Sequence, residues 1–229
     1  MTKAARISHR ADDLFPLAFR FDDARFGTCV AVRLPAVHSA DPGLLLESLH
    51  PEEQELGRSL RGPRLIEWIG GRHASRLARA GMPGAGSPTL SGPNGAPEVG
   101  AGVTVSISHS ERLAAALASP DRGYAIGVDV EAVPTDARGE DLLAERILSP
   151  AERDGTAIDT VQRLSIKEAA YKAIVRLTGK HLPLREISVE REGDPGFGIR
   201  VPNADLHVEA ISSRFEGHYL SLARARRAL

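Results

Sequence analysis

The stretch "VTVSISHSERLAAALASPDRGYAIGVDVE", residues 103–131, decides the fold class because it changes the periodicity of the chain from helical to extended. Its apolar residues form three short runs, which polar and glycine-containing turns separate. Runs of this length and composition are typical of β-strands. We therefore predict strands at 103–108, 113–119 and 124–131.

Helical patterns lie on both sides of these strands, and several of them begin with proline or acidic residues that suit a first helical turn. We predict helices at 41–49, 51–60, 63–82, 142–153 and 159–177. Gly179 is placed to end the last helix. Further strands are predicted near 15–20, 28–34, 187–191, 197–201, 206–212 and 218–224, with "GDPG" (193–196) as a hairpin turn.

This order of elements, helices and then strands, occurs twice and favours an α+β fold with antiparallel sheets over a doubly wound parallel sheet. We expect an N-terminal half at residues 1–120 and a C-terminal half at residues 121–229. The glycine- and proline-rich segment 81–102 excludes regular structure for about twenty residues. A loop of this length within a compact domain is more often functional than idle.

The composition is that of an ordinary soluble globular protein, with 42% hydrophobic and 26% charged residues among 229. The formal net charge of −1 gives no general attraction to nucleic acid or membranes. The single cysteine excludes an intramolecular disulfide and a multi-cysteine metal site. We find no signal peptide and no run of about 18 apolar residues, so we expect a cytoplasmic protein.

Two carboxylates stand at alternate positions of the predicted strand "GVDVE". Asp129 and Glu131 would project from one face, with Val128 and Val130 on the other. Adjacent carboxylates repel each other unless a cation lies between them, and Mg²⁺ is a hard cation that prefers oxygen ligands. The alternative is a strand end whose acidic residues are simply solvated.

The predicted helix "SIKEAAYKA" (165–173) places Glu168 and Lys172 four residues apart on one face, with Lys167 to one side. This arrangement could present a third carboxylate to a metal or a proton, next to an ammonium that can bind phosphate. Two alternatives remain open: an exposed Glu–Lys pair, or a capping box from Ser165 to Glu168. Asp159 is the better candidate for the helix cap.

Basic residues upstream could bind an anion. His109 follows a strand between two small hydroxyl residues, where it could donate to a phosphate or make a structural hydrogen bond. An arginine stripe along the 63–82 helix could bind phosphate or form a solvated face; it comprises Arg61, Arg64, Arg72, Arg76 and Arg79. Gly70 and Gly71 within that helix suggest that something approaches its backbone closely.

Taken together and in this order, these motifs resemble the 4′-phosphopantetheinyl transferases of the surfactin-synthetase-activating type, and most closely the subgroup that includes enterobactin synthase component D. The matching stretches are "RLIEWIGGRHASR" (64–76), "NGAPEVGAGVTVSISHS" (94–110), "AIGVDVE" (125–131), "ILSPAER" (147–153), "SIKEAAYKA" (165–173) and "LTGKHLPL" (177–184). The chain departs from the family at Leu164, where an aromatic residue is usual, and in the loop 97–102, which lacks a tryptophan.

The resemblance implies a pseudo-twofold pair of similar α+β halves with coenzyme A bound in the cleft between them. It implies an enzyme of the holo-[acyl-carrier-protein] synthase type. Such an enzyme transfers the 4′-phosphopantetheine arm of coenzyme A to a serine of an apo acyl- or peptidyl-carrier protein and releases adenosine 3′,5′-bisphosphate. The carrier could serve siderophore, polyketide, peptide or fatty-acid synthesis, and the residues leave this open.

Matched residue by residue, the resemblance implies that Asp129, Glu131 and Glu168 hold Mg²⁺ or Mn²⁺ against the pyrophosphate. Glu168 would also take the serine proton, and Lys172 would neutralise charge on the transferring phosphate. His109 would bind a coenzyme phosphate, while Arg64 and Arg72 would hold the nucleotide end. We expect a monomer, because the two halves would already supply the cleft.

Two other functions are compatible with the same residues. A metal-dependent phosphohydrolase could use the three carboxylates to activate water. A non-catalytic module could bind a nucleotide or coenzyme with the basic residues alone. Only the transferase would modify a carrier protein.

Overall fold

The computed structural model describes residues 14–37, 41–92, 95–120, 123–134, 140–153, 158–202 and 204–228. The chain forms two compact units, Met1–Asp121 and Arg122–Leu229. Residues 121 and 122, where the sequence predicts the change of half, lie outside the described residues. Each unit is described by itself below.

The N-terminal unit is an antiparallel sheet with one long helix packed on it. Its elements are β1 (Leu17–Asp23), β2 (Gly27–Arg33), α1 (Pro42–Glu47), α2 (Pro51–Gly57), α3 (Gly62–Ala78), β3 (Leu90–Ser91), β4 (Pro97–Glu98), β5 (Val103–Ser110) and β6 (Leu113–Pro120). Four of the strands form a sheet in the order β1-β2-β6-β5, and every neighbouring pair is antiparallel. Helix α3 packs across β2, β5 and β6.

The two glycines of α3 allow this helix to approach the sheet closely. A Cβ at Gly70 would overlap the side chain of Leu34 and press on Ala114, and one at Gly71 would lie 2.9 Å from Ile107 Cγ2. The close approach to the helix backbone that the two glycines predict is therefore confirmed. The approaching groups are side chains of the same unit, and no ligand is needed to explain the glycines.

The C-terminal unit is a second antiparallel sheet with its own long helix. Its elements are β7 (Ala125–Ala132), α4 (Glu140–Ile147), α5 (Thr160–Thr178), β8 (Ser188–Arg191), β9 (Gly196–Arg200), β10 (Leu206–Phe215) and β11 (His218–Arg227). The strand order is β7-β11-β10-β9-β8, again with antiparallel neighbours. Helix α5 packs mainly on β7 and β11, and its apolar face joins a core with β8, β9 and β10.

The ends of α5 follow from local sequence signals. The Asp159 carboxylate accepts hydrogen bonds from the backbone N–H groups of Val161 and Gln162, and Gly179 ends the helix at φ 69°. Both ends agree with the sequence-based prediction. The alternative capping box from Ser165 is wrong, because Ser165 lies inside the helix and its hydroxyl donates to the Asp129 carbonyl at 3.4 Å.

The α+β class with small antiparallel sheets is confirmed, and two local predictions need correction. The helix predicted at 142–153 ends at Ile147, and a separate 3-10 turn follows at Pro150–Glu152. Pro150 cannot donate the hydrogen bond that a continuing helix requires. The loop 81–102 is not wholly irregular, because β3 pairs with β4 inside it. Among the helices within the described ranges, none is long and apolar enough to span a membrane.

Candidate functional site

The first cluster lies where β7 and α5 meet. A Cβ at Gly127 would overlap the Ala169 carbonyl, so strand and helix backbones are nearly in contact at this point. Side chains alternate along β7, and the face that carries Gly127 also carries Asp129 and Glu131. The opposite face carries the apolar Val128 and Val130, as the spacing predicts.

Lys172 brings a positive charge to this cluster. Its ammonium donates to Asp129 Oδ1 at 2.7 Å and to the Val128 carbonyl at 3.0 Å. The Asp129 side chain is only 4% exposed, whereas that of Lys172 is 29% exposed. A buried carboxylate requires such a partner, because its desolvation is costly. Lys172 therefore also pairs with a buried carboxylate, besides lying four residues after Glu168.

Glu131 and Glu168 complete a cluster with more negative than positive charge. Burial, and then the charges of Asp129 and Glu168, raise the pKa of Glu131 to about 7, although Lys172 opposes this. Burial and the charge of Asp129 also raise the pKa of Glu168 above its usual range. The charge of the Lys172 ammonium thus acts on all three carboxylates. The cluster would gain from a further cation.

The chemistry of these donors fits Mg²⁺, which favours carboxylate oxygens and keeps several waters. Burial is the main reason that the pKa values of Glu131 and Glu168 are raised, and the negative charge of Asp129 adds to both shifts. In the part of the chain that the structure describes, no three histidine, cysteine or acidic side chains already surround one point. Instead, the Lys172 ammonium contacts Asp129 Oδ1.

The neighbouring Lys167 has a different environment from Lys172. It is fully buried, and its ammonium donates to Glu152 Oε2 at 2.6 Å and to the Ile147 carbonyl at 2.5 Å. Glu152 also accepts from Arg163 Nη1 at 2.8 Å. Lys167 therefore anchors α5 to the turn at Pro150–Glu152. The sequence-based reasoning missed Glu152, although the "SPAE" pattern of the turn was visible.

The second cluster lies in the N-terminal unit, where α3 meets the end of β5. Arg64 Nη1 donates to His109 Nε2 at 2.7 Å. Oε2 of Glu67 lies 3.4 Å from Arg64 Nη1 and 3.5 Å from His109 Nδ1. The structure thus brings together two of the residues that the motifs indicate as phosphate ligands. It also adds Glu67, which the sequence-based reasoning did not single out.

Arg72, the third predicted phosphate ligand, is 9% exposed and stacks on Trp68, with its Cζ atom 3.1 Å from the ring centroid. Burial lowers the pKa of Arg72 to about 10, against the opposing charge of Glu53. Arg79 is buried too and donates to the carbonyl oxygens of Gly84 and Ser87. The arginine stripe is therefore not a uniform solvated face, since part of it organises the loop after α3.

Comparison with known proteins identifies the family. Residues 52–119 match the model of the 4′-phosphopantetheinyl transferase N-terminal domain, and residues 125–223 match that of the 4′-phosphopantetheinyl transferase superfamily. The 4′-phosphopantetheinyl transferase Npt of Nocardia iowensis is 32% identical in a match 172 residues long, which covers 71% of this chain and 74% of that protein. This chain belongs to the 4′-phosphopantetheinyl transferase superfamily. The superfamily that the motifs indicate is thereby confirmed.

Both clusters fall within the matched regions of this superfamily member. The match to the N-terminal domain contains Arg64, Arg72 and His109, and the superfamily match contains all four residues of the first cluster. Two solved ACPS structures from Chronobacterium ammoniagenes, the apo form and the complex with CoA, are 19% identical to this chain. They cover 46% of it and 98% of their own chains, with TM-scores of 0.37 and 0.36.

Proposed function

We propose that this protein transfers the 4′-phosphopantetheine group of coenzyme A to a serine of an apo acyl- or peptidyl-carrier protein, in a Mg²⁺-dependent reaction that releases adenosine 3′,5′-bisphosphate. The observation that carries the proposal is the cluster of three carboxylates and one lysine on β7 and α5, within a chain of this superfamily. Transfer of a phosphoryl-type group requires positioning and charge neutralisation more than covalent help.

Asp129, Glu131 and Glu168 are the proposed metal ligands. When bound, Mg²⁺ would supply positive charge opposite the pyrophosphate oxygens. The three carboxylates provide acceptor oxygens only, and their mutual repulsion favours binding of a cation over leaving all three ionised.

Glu168 is the proposed acceptor of the serine proton, directly or through a water. Without a metal, burial and the charge of Asp129 raise its pKa, so its carboxylate holds a proton more strongly than an ordinary one. Lys172 is proposed to neutralise charge on the transferring phosphate. Its side chain is partly exposed, so its ammonium can exchange the contact with Asp129 for a phosphate oxygen.

Arg64, His109 and Arg72 are the proposed ligands of the coenzyme phosphates. Arg64 is the most exposed, with 59% of its side chain accessible, and its guanidinium can bind a phosphate through two parallel hydrogen bonds. Arg72 is held on Trp68, which limits its conformational freedom before a ligand binds. The side chain therefore loses less conformational entropy when a ligand binds.

The finer assignments rest on the motifs. We propose that the protein belongs to the surfactin-synthetase-activating type, near the enterobactin synthase component D subgroup, and works as a cytoplasmic monomer with halves at residues 1–120 and 121–229. Separate family matches to the two parts of the chain support this organisation.

The test is incubation with coenzyme A, Mg²⁺ and an apo carrier protein, followed by the mass of the carrier. Glu168→Gln and Lys172→Ala should each lower the rate by orders of magnitude in protein that still folds, although Lys172→Ala should also lower stability because the buried Asp129 loses this ammonium. Glu190→Gln and Lys180→Ala are matched controls, because Glu190 pairs with Arg200 on the surface and Lys180 is exposed. Cleavage of coenzyme A without a modified carrier would indicate a phosphohydrolase, and coenzyme binding without turnover would indicate a binding module.

A further inference from the structure

Glu67 is the least exposed member of the N-terminal cluster. The exposed side-chain fraction rises from 24% for Glu67 to 33% for His109 and 59% for Arg64. Arg64 is therefore the member most accessible to an anion from solvent.

The hydrogen-bond chemistry fixes what Glu67 does to the histidine ring. Arginine is a donor only, so His109 Nε2 must accept the hydrogen bond from Arg64 Nη1 at 2.7 Å. A neutral imidazole then carries its proton on Nδ1. That nitrogen lies 3.5 Å from Glu67 Oε2. A phosphate that replaces Arg64 at Nε2 requires an N–H donor there, so the ring would then carry both protons and the Glu67 carboxylate would compensate its charge.

We propose that Glu67 is a positioning residue for coenzyme binding, which contacts His109 at Nδ1, leaves Nε2 to donate to a phosphate, and balances the positive charges of Arg64 and of the doubly protonated ring. The identity of the anion rests on the proposed function. A carboxylate that orients a histidine in this way supports the ligand contact made by the other ring nitrogen. Without Glu67, the ring could rotate, and a protonated His109 would lie against Arg64 with no compensating charge.

The chain offers a matched control on a neighbouring helix. Glu55 Oε2 accepts from Arg58 Nη1 at 2.8 Å with the same three-residue spacing as Glu67 and Arg64, and both side chains are well exposed. Glu55→Gln therefore removes a comparable Glu–Arg pair from a neighbouring helix. Any general effect of losing one acidic residue from this unit should appear equally in both variants.

The experiment measures coenzyme A affinity by isothermal titration calorimetry and KM and kcat in the carrier assay. Glu67→Gln should raise Kd and the KM for coenzyme A about tenfold, or about 1.4 kcal/mol, with kcat changed less than threefold. Glu55→Gln should change each value less than twofold. In a His109→Ala background, Glu67→Gln should raise Kd by less than a further twofold, because the ring through which it acts is gone.

Each outcome separates this inference from the proposed function. An unchanged Kd for Glu67→Gln, or equal effects with and without His109, would overturn the positioning role even if the wild type modifies its carrier. A wild type that binds coenzyme A but transfers nothing would overturn the proposed function, while the Glu67–His109 coupling would still support the inference. A wild type that binds no coenzyme A would overturn both.

Discussion

The charge balance of the buried cluster around Glu152 gives a quantitative prediction. The carboxylate accepts from Lys167 Nζ at 2.6 Å, Arg163 Nη1 at 2.8 Å and the backbone N–H groups of Ser149 and Val189 at 2.8 and 2.9 Å. The side chains of Lys167, Arg163 and Glu152 are 0%, 1% and 5% exposed. The Glu152 carboxylate therefore contacts two buried cations, Lys167 and Arg163.

This asymmetry sets the order of the mutational effects. Glu152→Gln removes the negative charge that both Lys167 and Arg163 contact, and breaking a buried pair in this way should cost about 4 kcal/mol. Lys167→Met leaves a balanced Arg163–Glu152 pair, so it loses mainly its charged hydrogen bonds and should cost about 3 kcal/mol. The double variant should cost clearly less than the sum of about 7 kcal/mol, because the two changes remove the same interaction.

Hydrogen exchange followed by mass spectrometry measures this effect locally. Opening of α5 requires the Glu152 network to break, so Glu152→Gln should speed exchange in residues 160–178 about 1,000-fold, since each 1.4 kcal/mol is a factor of ten. Amides of α3, in the other unit, serve as the internal reference. The reasoning fails if Lys167→Met costs more than Glu152→Gln, or if the two single effects add fully.

Three further predictions concern other parts of the chain. Gly127→Ala should lower Tm by about 4–8 °C, because the new Cβ overlaps the Ala169 carbonyl and overpacking costs about 2 kcal/mol; Gly86→Ala, where a Cβ meets open space, should not. Glu131 has a pKa of about 7 in the fold, raised from its usual value. Without divalent cations its proton therefore stabilises the fold at low pH, and about 2–3 kcal/mol should be lost as pH rises from 5 to 8. Urea midpoints against pH would show this loss, Glu131→Gln should remove it and Mg²⁺ should reduce it. Trp68 is the single tryptophan and carries the Arg72 stack, so binding of a coenzyme phosphate to the stacked guanidinium should change its fluorescence; no saturable change would argue against Arg72 as a ligand.

Local sequence signals were sufficient for most of the fold. The strands of 103–131 follow from alternation and short turns, and both ends of α5 follow from Asp159 and Gly179. These signals act between residues close in sequence, so they can be recognised without knowledge of the tertiary structure. The break after Ile147 was also readable, because Pro150 cannot continue a helix.

Contacts between distant residues could not be predicted in the same way. Glu152 and Lys167 are separated by 15 residues, and no periodic pattern shows that one meets the other. Arg72 was expected on an accessible face, since arginine is seldom buried without a partner. Its burial depends on the Trp68 ring and on packing around the whole unit.

The two lysines of "KEAAYK" show how one short motif can carry two separate tasks. Lys167 and Lys172 are five residues apart, which places them about 140° apart around a helix, whereas Glu168 and Lys172 are only about 40° apart. The structure agrees: Lys167 is buried against Glu152, and Lys172 is partly exposed beside Asp129. Loss of Lys167 should therefore lower the amount of folded protein, while loss of Lys172 should lower turnover of a protein that still folds. A motif match alone treats the two residues alike, and it is the helical angle between them that assigns one to the fold and the other to the proposed chemistry.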